Sequence, residues 1–194
     1  MNLIKNISGD AKTRNEQIIA FTMHSTLIIY SSTDGHTETI CKRISNYLNN
    51  MNEIKIISLD DALKINLSTF NKIIIGASIR YGKHSKKLYK FIKLNKSILD
   101  QRNSIFFSVN VVARKLEKNT PETNPYIKKF LKISNWRPKK IGVFAGRVDY
   151  PSYSFFDKYV IKLIMFLTNG PTDTSQSYEF TDWSKVDQFA KELV

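Results

Sequence analysis

The chain has 194 residues, 42% of them hydrophobic, so it can bury one sizeable core, and its length suggests one domain. Its formal net charge of +13 would suit nucleic acid, an anionic membrane or an anionic substrate, although an AT-rich genome would produce the same Lys-, Asn- and Ile-rich composition without selection for binding. The single Cys41 excludes an intramolecular disulfide and a metal site of paired cysteines, so we expect a buried thiol in a reducing, cytosolic setting and no metal.

The first 22 residues lack the continuous apolar stretch of a signal peptide and show no sustained period. Met23 stands directly before the first apolar run of the chain. We therefore interpret residues 1–22 as a poorly ordered extension or a mis-assigned start, and predict a single domain over residues 25–194.

Strand and helix patterns alternate from residue 26 onwards. Apolar residues at helical spacing predict helices at Ile40–Leu48, Lys86–Leu99, Tyr126–Leu131 and Trp183–Leu193. Short, nearly continuous apolar runs predict strands at Thr26–Tyr30, Glu53–Leu59, Lys72–Ala77, Ser104–Val109 and Lys140–Ala145. Strands separated by helices imply right-handed parallel crossovers, and hence a doubly wound α/β sheet with helices on both faces.

The longest apolar stretch is Phe155–Leu167. It carries Asp157, Lys158 and Lys162 and is shorter than the roughly 18 apolar residues that a membrane span needs. We favour a core helix here over a segment that contacts a membrane.

The loop after the first strand has the parts of a phosphate cradle. It offers hydroxyl groups on Ser31, Ser32, Thr33 and Thr37, a turn at Gly35, and the positive end of the following helix. A plain Ser/Thr-capped helix start is the alternative. The loop matches neither the Walker nor the Rossmann glycine pattern.

Two further loops follow the third and fourth strands, where ligands bind in a doubly wound sheet. The first offers Ser78, Arg80, Tyr81 and Gly82, although Tyr81 could instead cap the core. The second offers Asn110, Arg114 and Lys115, and its segment Asn110–Asn124 is long for a connection in a compact domain and shows no helical period.

The hexapeptide Ser32-Thr33-Asp34-Gly35-His36-Thr37 resembles the flavodoxin phosphate loop S/T-x-T-G-x-T, with Asp34 at the central threonine. That resemblance implies FMN bound through its phosphate. Together with AGRVDYP (145–151), IKLIM (161–165), TDT (172–174) and TDW (181–183), the loops resemble the family of bacterial quinone-dependent protoporphyrinogen oxidases from about residue 25 to the end.

The resemblance implies a flavodoxin-like five-stranded parallel sheet of order 2-1-3-4-5. It also implies an FMN enzyme that oxidises protoporphyrinogen IX to protoporphyrin IX and passes the electrons to menaquinone or ubiquinone. The expected location is peripheral, on the cytoplasmic face of the bacterial inner membrane.

The resemblance further implies roles for individual residues. The phosphate would be held by Ser32, Thr33, Asp34, Gly35, His36 and Thr37. The flavin ring would be bordered by Ser78, Ile79, Arg80, Tyr81, Gly82, Ser108, Val109, Asn110, Val111, Val112, Ala113, Arg114, Ala145, Gly146, Arg147, Val148 and Asp149.

The substrate's two propionates call for cations, and arginine grips a carboxylate with two hydrogen bonds. We expect Arg80, Arg114, Lys115 and Arg147 to meet them, with Asn110–Asn124 forming part of the wall over the substrate. No general base stands out, since His36 and His84 are candidates by residue type alone and fit polar loop residues better.

Two other functions share some of these features. A carrier flavodoxin or an NAD(P)H:quinone reductase would use the same fold and FMN, although carriers are usually acidic and this chain is basic. A nucleic-acid module would need a basic helix or an RNP-type aromatic motif, and neither is recognisable, so we expect no nucleic-acid partner. The sequence leaves the quinone and the formation of a homo-oligomer open.

Overall fold

The computed structural model describes residues 25–48 and 53–194, so the prediction for residues 1–22 lies outside the described residues. Five parallel strands form a sheet of order β2-β1-β3-β4-β5. They are β1 (Thr26–Ser31), β2 (Ile54–Ser58), β3 (Lys72–Ser78), β4 (Asn103–Val109) and β5 (Lys140–Phe144). The predicted doubly wound sheet and its strand order are confirmed, and each predicted strand ends within one residue of the observed one.

Helices connect the strands, and polar side chains define where most of them begin. Ser85 caps one helix by accepting from the Lys87 amide, and Asn124 caps the next by accepting from the amides of Tyr126 and Ile127. The described helices are α1 (His36–Leu48), α2 (Leu59–Ala62), α3 (Lys86–Gln101), α4 (Pro125–Ser134), α5 (Phe155–Leu167) and α6 (Trp183–Lys191).

The core lies on both faces of the sheet because successive side chains of a buried strand point to opposite sides. On β1, Leu27 and Ile29 join the cluster under α3 and α4, whereas Ile28 joins the cluster under α1 and α6. Cys41 on α1 is fully buried in the second cluster, as predicted. Its buried thiol has a raised pKa because the thiolate would lose its hydration.

Gly76 shows how closely the two central strands approach. It pairs with Phe107 across β3 and β4, and a Cβ atom at Gly76 would lie 2.1 Å from the Phe107 ring. Only glycine leaves room for that ring, so the packing of the sheet centre depends on it.

Two features after β5 differ from the sequence-based prediction. Strands β6 (Arg147–Asp149) and β7 (Ser177–Glu179) form an antiparallel pair outside the main sheet. Between them lies α5, which the sequence suggested to be a core helix. That prediction is wrong, because Met165 is the only residue of α5 that is buried and most of the helix surface faces solvent. Within the described ranges, no helix is long and apolar enough to cross a membrane.

The segment Asn110–Asn124 shows no helical period in the sequence, and no α-helix lies within it. It contains two short 3-10 turns, Val111–Arg114 and Leu116–Lys118. The Asn110 and Asn124 side chains fasten its two ends together, with Asn124 Nδ2 3.1 Å from Asn110 Oδ1.

Candidate active site

Two adjoining clefts open at the carboxyl ends of β1, β3, β4 and β5, where a doubly wound sheet binds its ligands. The first has a volume of about 50 Å³ and the second of about 120 Å³. Both are lined by Asp34, Ile79, Arg80, Asn110, Val111 and Arg147. The first adds Ser32, Thr33, His36, Thr37, Ser78, Val109 and Gly146, and the second adds Tyr81, Gly82, Val112, Tyr126, Val148, Tyr153, Ile161, Ile164 and Met165.

The loop between β1 and α1 forms one end of the first cleft. Gly35 has a φ of +76°, a left-handed conformation that glycine adopts readily, and its carbonyl accepts the first helical bond from the Thr39 amide at 3.1 Å. Helix α1 therefore begins at the cleft and directs its free amide groups towards it.

Thr37 provides the sharpest indication of what this cleft holds. Its side chain lines the cleft, is only 1% exposed, and its Oγ1 has no hydrogen-bond partner within residues 25–48 and 53–194. A buried hydroxyl without a partner destabilises the folded protein, whereas a phosphate oxygen bound at the start of α1 would accept its hydrogen bond. The residues present therefore fit the phosphate group of FMN.

Asp34 introduces a carboxylate beside this cradle, and Arg80 neutralises it. Nη1 of Arg80 lies 2.9 Å from Oδ2 of Asp34, and Nη2 lies 2.9 Å from Oδ2 of Asp157 on α5. Burial, followed by the nearby charges of Asp157 and Asp149, raises the pKa of Asp34, while Arg80 acts in the opposite direction. Arg80 thus holds two carboxylates that come from different parts of the chain.

A tight turn after β3 presents Arg80 and Tyr81. The Arg80 amide donates to the Lys83 carbonyl, and the Lys83 amide donates to the Arg80 carbonyl. The two residues between them, Tyr81 and Gly82, both have positive φ. The rings of Tyr81 and Tyr153 lie 5.3 and 5.1 Å from the Arg80 guanidinium carbon, within cation–π range. Tyr81 is 45% exposed and bonds to Asp157 through its hydroxyl, so it does not cap the core.

Asn110 directly follows β4, and its side chain makes three hydrogen bonds within the protein. Its Nδ2 donates to Ser108 Oγ, and its Oδ1 accepts from the Ala113 amide and from Asn124 Nδ2. Asn110 therefore shapes the cleft through its position on the backbone. Ser108, predicted to border the ring, is fully buried beneath it.

His36 and His84 occupy different environments: His36 begins α1, and His84 lies in the loop before α3 but is buried, so neither is an exposed polar loop residue. His84 is 2% exposed, lies 3.1 Å from Ser108 Oγ through Nε2, and packs against Phe106 and Phe130. Burial lowers the pKa of His84 to about 4, so its imidazole is neutral near pH 7. His84 therefore acts as a neutral packing residue beside Ser108, near the carboxyl end of β4.

His36 is the first residue of α1 and lines the first cleft. Its Nε2 lies 2.7 Å from Thr181 Oγ1, which itself lies 3.0 Å from the Ala145 carbonyl. Because the threonine hydroxyl donates to that carbonyl, the imidazole donates to the threonine and Nε2 carries the proton. Burial lowers the pKa of His36, Glu179 at 3.5 Å opposes the shift, and Arg147 adds to it.

Arg114 does not reach the clefts. Its guanidinium donates to the carbonyl of Val111 and to the carbonyl and hydroxyl of Thr168, at 3.0, 2.7 and 2.9 Å. These bonds tie the loop after β4 to the end of α5 and occupy the guanidinium, and the contact of Arg114 with a propionate stays a prediction. Lys115 lines neither of the two clefts in the described part of the chain.

Arg147 is the cation most available to a ligand. It lines both clefts, its side chain is 43% exposed, and it pairs with a single carboxylate, Asp149, at 2.9 Å. Of the other residues predicted to border the ring, Ala113 and Ala145 are buried, and these two and Asp149 line neither cleft. Gly35, predicted to hold the phosphate, also lines neither cleft. The role of each predicted residue in cofactor binding stays a prediction.

Five residues in the wall of the second cleft are not among the site residues predicted from the sequence. They are Tyr126, Tyr153, Ile161, Ile164 and Met165. Three of them lie on the inner face of α5. The apolar stretch from Phe155 is the sequence signal that could have identified these three residues, but apolar content alone favours a core helix over a helix that walls a cleft.

Comparisons with known proteins agree with this fold. The model of the flavodoxin domain family matches residues 27–175. The chain is 43% identical to a protein from Leishmania major named protoporphyrinogen IX dehydrogenase [quinone], over 86% of this chain and 73% of that protein. It is 39% identical to the protein of the same name from Escherichia coli K12, over 87% of this chain and 93% of that protein.

A solved structure supports the fold. Oxidised flavodoxin 1 from Bacillus cereus matches with a TM-score of 0.52 and 17% identity, over 87% of this chain and 95% of that chain. The predicted flavodoxin-like fold is thereby confirmed. The chain belongs to the flavodoxin domain family and, within it, to the family of quinone-dependent protoporphyrinogen IX dehydrogenases.

Proposed function

We propose that this chain binds FMN and oxidises protoporphyrinogen IX to protoporphyrin IX, with a quinone as the electron acceptor. The family supports the reaction, since relatives at 39–43% identity over most of the chain are named for it. The single structural observation that carries the cofactor assignment is the buried hydroxyl of Thr37 at the start of α1, which has no hydrogen-bond partner among the residues that the structure describes.

The chain's own residues would hold the cofactor at the first cleft. Residues 32–37 bind the phosphate through hydroxyl groups and the free amides of α1, and Arg80 compensates the Asp34 carboxylate nearby. The ends of β3, β4 and β5 border the ring through Ile79, Val109 and Gly146.

The bound FMN supplies a two-electron acceptor for hydride. Six hydrogens leave the porphyrinogen in three two-electron steps, four from the bridging carbons and two from pyrrole nitrogens. Each step removes one hydride equivalent from a carbon and one proton, the proton coming from a nitrogen in two steps and from the last bridging carbon in the third, and one quinone per step takes up the two electrons and two protons. The described residues offer no side chain that stands out as a general base. The protein's contribution is to orient the macrocycle and to exclude competing contacts.

The second cleft suits the substrate better than the first. Its wall of Tyr126, Tyr153, Ile161 and Met165 is largely apolar, as the faces of a porphyrinogen require, while Arg147 stands at the rim. Arg147 is the principal propionate contact in this proposal. Arg80 is already paired with Asp34 and Asp157, so it has less charge left for a propionate than Arg147 has.

We also propose a peripheral location on the cytoplasmic face of the inner membrane, with menaquinone or ubiquinone as the acceptor. A quinone dissolved in the bilayer must be reached from its surface. The formal net charge of +13 favours an anionic lipid surface.

The test begins with the purified chain loaded with FMN. Its visible spectrum should be that of a bound flavin, and it should form protoporphyrin from protoporphyrinogen with a water-soluble quinone, in the dark and in excess of the spontaneous rate. Oxidation of NADH or NADPH with the same quinone, without oxidation of protoporphyrinogen, would instead identify a nicotinamide-dependent quinone reductase.

A further inference from the structure

Helix α5 exposes an unusual amount of apolar surface. Thirteen large hydrophobic residues are exposed in the described part of the chain, and seven of them lie on this one helix. These seven are Phe155, Phe156, Tyr159, Leu163, Ile164, Phe166 and Leu167. The other six are spread over several elements, as isolated apolar residues commonly are.

The apolar residues lie side by side on the helix. At about 100° per residue, the arc from Phe155 to Val160 covers about 140° of the helix circumference and contains no charged side chain. We call this surface, formed by Phe155, Phe156, Tyr159, Val160, Leu163, Phe166 and Leu167, the outer arc. The only acidic residue of α5, Asp157, lies on the opposite side and is held by Arg80.

Lysines border the outer arc. On the same helical projection, Lys162 and Lys158 lie about 20° and 60° beyond Phe155, along one edge. Neither is near a carboxylate within salt-bridge distance among the described ion pairs. An apolar surface rich in phenylalanine with a cationic edge is typical of a helix that lies in the interface of an anionic bilayer.

The inner side of the same helix faces the second cleft. Ile161, Ile164 and Met165 line the second cleft, and Tyr81 and Arg80 fix the first turn of α5 through Asp157. At about 1.5 Å per residue, the 13-residue helix is about 20 Å long, too short to cross the roughly 30 Å hydrocarbon core but long enough to lie along its surface.

We propose that α5 is the membrane-docking element of this protein: its outer arc inserts into the interface of an anionic lipid bilayer while its inner side walls the second cleft. The proposal rests on the proposed function for the identity of the second cleft, and names the surface that brings that cleft to the lipid. A quinone in the bilayer would then reach the cleft along α5 without leaving the apolar phase.

The test is flotation of the FMN-loaded full chain with vesicles of phosphatidylcholine, with and without phosphatidylglycerol. The variant Leu163→Gln/Phe166→Gln should bind anionic vesicles about tenfold or more weakly, because two exposed apolar side chains no longer insert. The control Leu94→Gln/Leu116→Gln removes two exposed leucines from other elements, 67% and 83% exposed against 58% and 69% for Leu163 and Phe166, and should bind like the parent.

A second pair separates charge from apolar contact. Lys158→Gln/Lys162→Gln should lose about tenfold in binding to anionic vesicles and little to neutral ones, whereas Lys90→Gln/Lys93→Gln on α3 should change binding less. Failure of the parent to float with anionic vesicles, or equal losses in the control variants, would overturn the proposal.

Two further readouts assign the cause of any change. Sedimentation without lipid shows whether the outer arc instead joins two copies of the chain: if the Leu163/Phe166 variant dissociates a dimer and still binds vesicles like the parent, the proposal is wrong. Protoporphyrinogen oxidation with a water-soluble quinone should persist in this variant. If the parent itself lacks that oxidation, the proposed function fails, while the flotation result still decides the docking role of α5.

Discussion

Arg80 and Asp157 form an ion pair that ties the turn after β3 to the first turn of α5, with Nη2 and Oδ2 2.9 Å apart. The other arm of the same guanidinium holds Asp34 in the phosphate loop. One arginine therefore connects the loop proposed to bind the cofactor with the helix that walls the second cleft, and it keeps a carboxylate beside a phosphate site from repelling the ligand.

The first prediction concerns this compensation. Arg80→Gln should raise the Kd for FMN about tenfold or more, because the Asp34 carboxylate is then uncompensated next to a phosphate dianion. The double variant Arg80→Gln/Asp34→Asn should recover most of the affinity, as measured by fluorescence titration of FMN. Arg137→Gln, which only loses bonds to the carbonyls of Leu131 and Trp136, is the control. No recovery in the double variant would mean that Arg80 itself contacts the cofactor.

The second prediction separates binding from folding at Thr37. Thr37→Val removes the unpartnered Oγ1 and keeps the side-chain shape, so FMN binding should weaken by about 1.5–3 kcal/mol. The free energy of unfolding without FMN should stay the same or rise, since a buried unsatisfied hydroxyl has been removed. Thr39→Val, on the exposed side of the same turn, should change neither quantity. Unchanged FMN affinity in Thr37→Val would place the phosphate elsewhere.

Much of the fold was predictable because its signals are local. A strand buried on both faces is nearly continuously apolar, and the phosphate loop lies within a few residues of the strand and helix that define it. The bonds of Arg114 to Thr168 join residues 54 positions apart, and no local sequence pattern predicts such a contact. Apolar content alone also cannot distinguish a buried helix from one whose apolar face is exposed, which is why α5 was interpreted wrongly.

The third prediction is a pH dependence of stability that arises from His84. The unfolded chain binds a proton at His84 near pH 6.5, whereas burial lowers the folded pKa to about 4. The contribution of neutral, buried His84 to the free energy of unfolding is therefore fully present above about pH 6.5. It declines as the pH falls towards 4, by up to about 3 kcal/mol in total. His84→Gln, which does not titrate, should show a shallower loss of unfolding free energy over this range in urea titrations. Identical slopes for parent and variant would show that His84 is accessible to protons in the folded state.

The last prediction contrasts Arg114 with Arg147, two arginines for which the sequence predicts the same role as propionate contacts. Arg114→Gln should lower the free energy of unfolding by about 1–3 kcal/mol, because the carbonyl and hydroxyl of Thr168 lose their donor. Its KM for protoporphyrinogen should remain within about twofold of the parent value at saturating FMN, since Arg114 lines neither cleft.

Arg147→Gln should behave in the opposite way. Its exposed ion pair with Asp149 contributes less than about 1 kcal/mol to stability, so the melting temperature should hardly change. Loss of a propionate contact should raise KM about tenfold, a change equivalent to about 1.4 kcal/mol of binding. Lys115→Gln serves as a control that changes charge beside Arg114 without removing the Thr168 bonds. If Arg114→Gln raised KM and left stability intact, the loop after β4 would contact the substrate after all, and its bonds to Thr168 would have to open when the substrate binds.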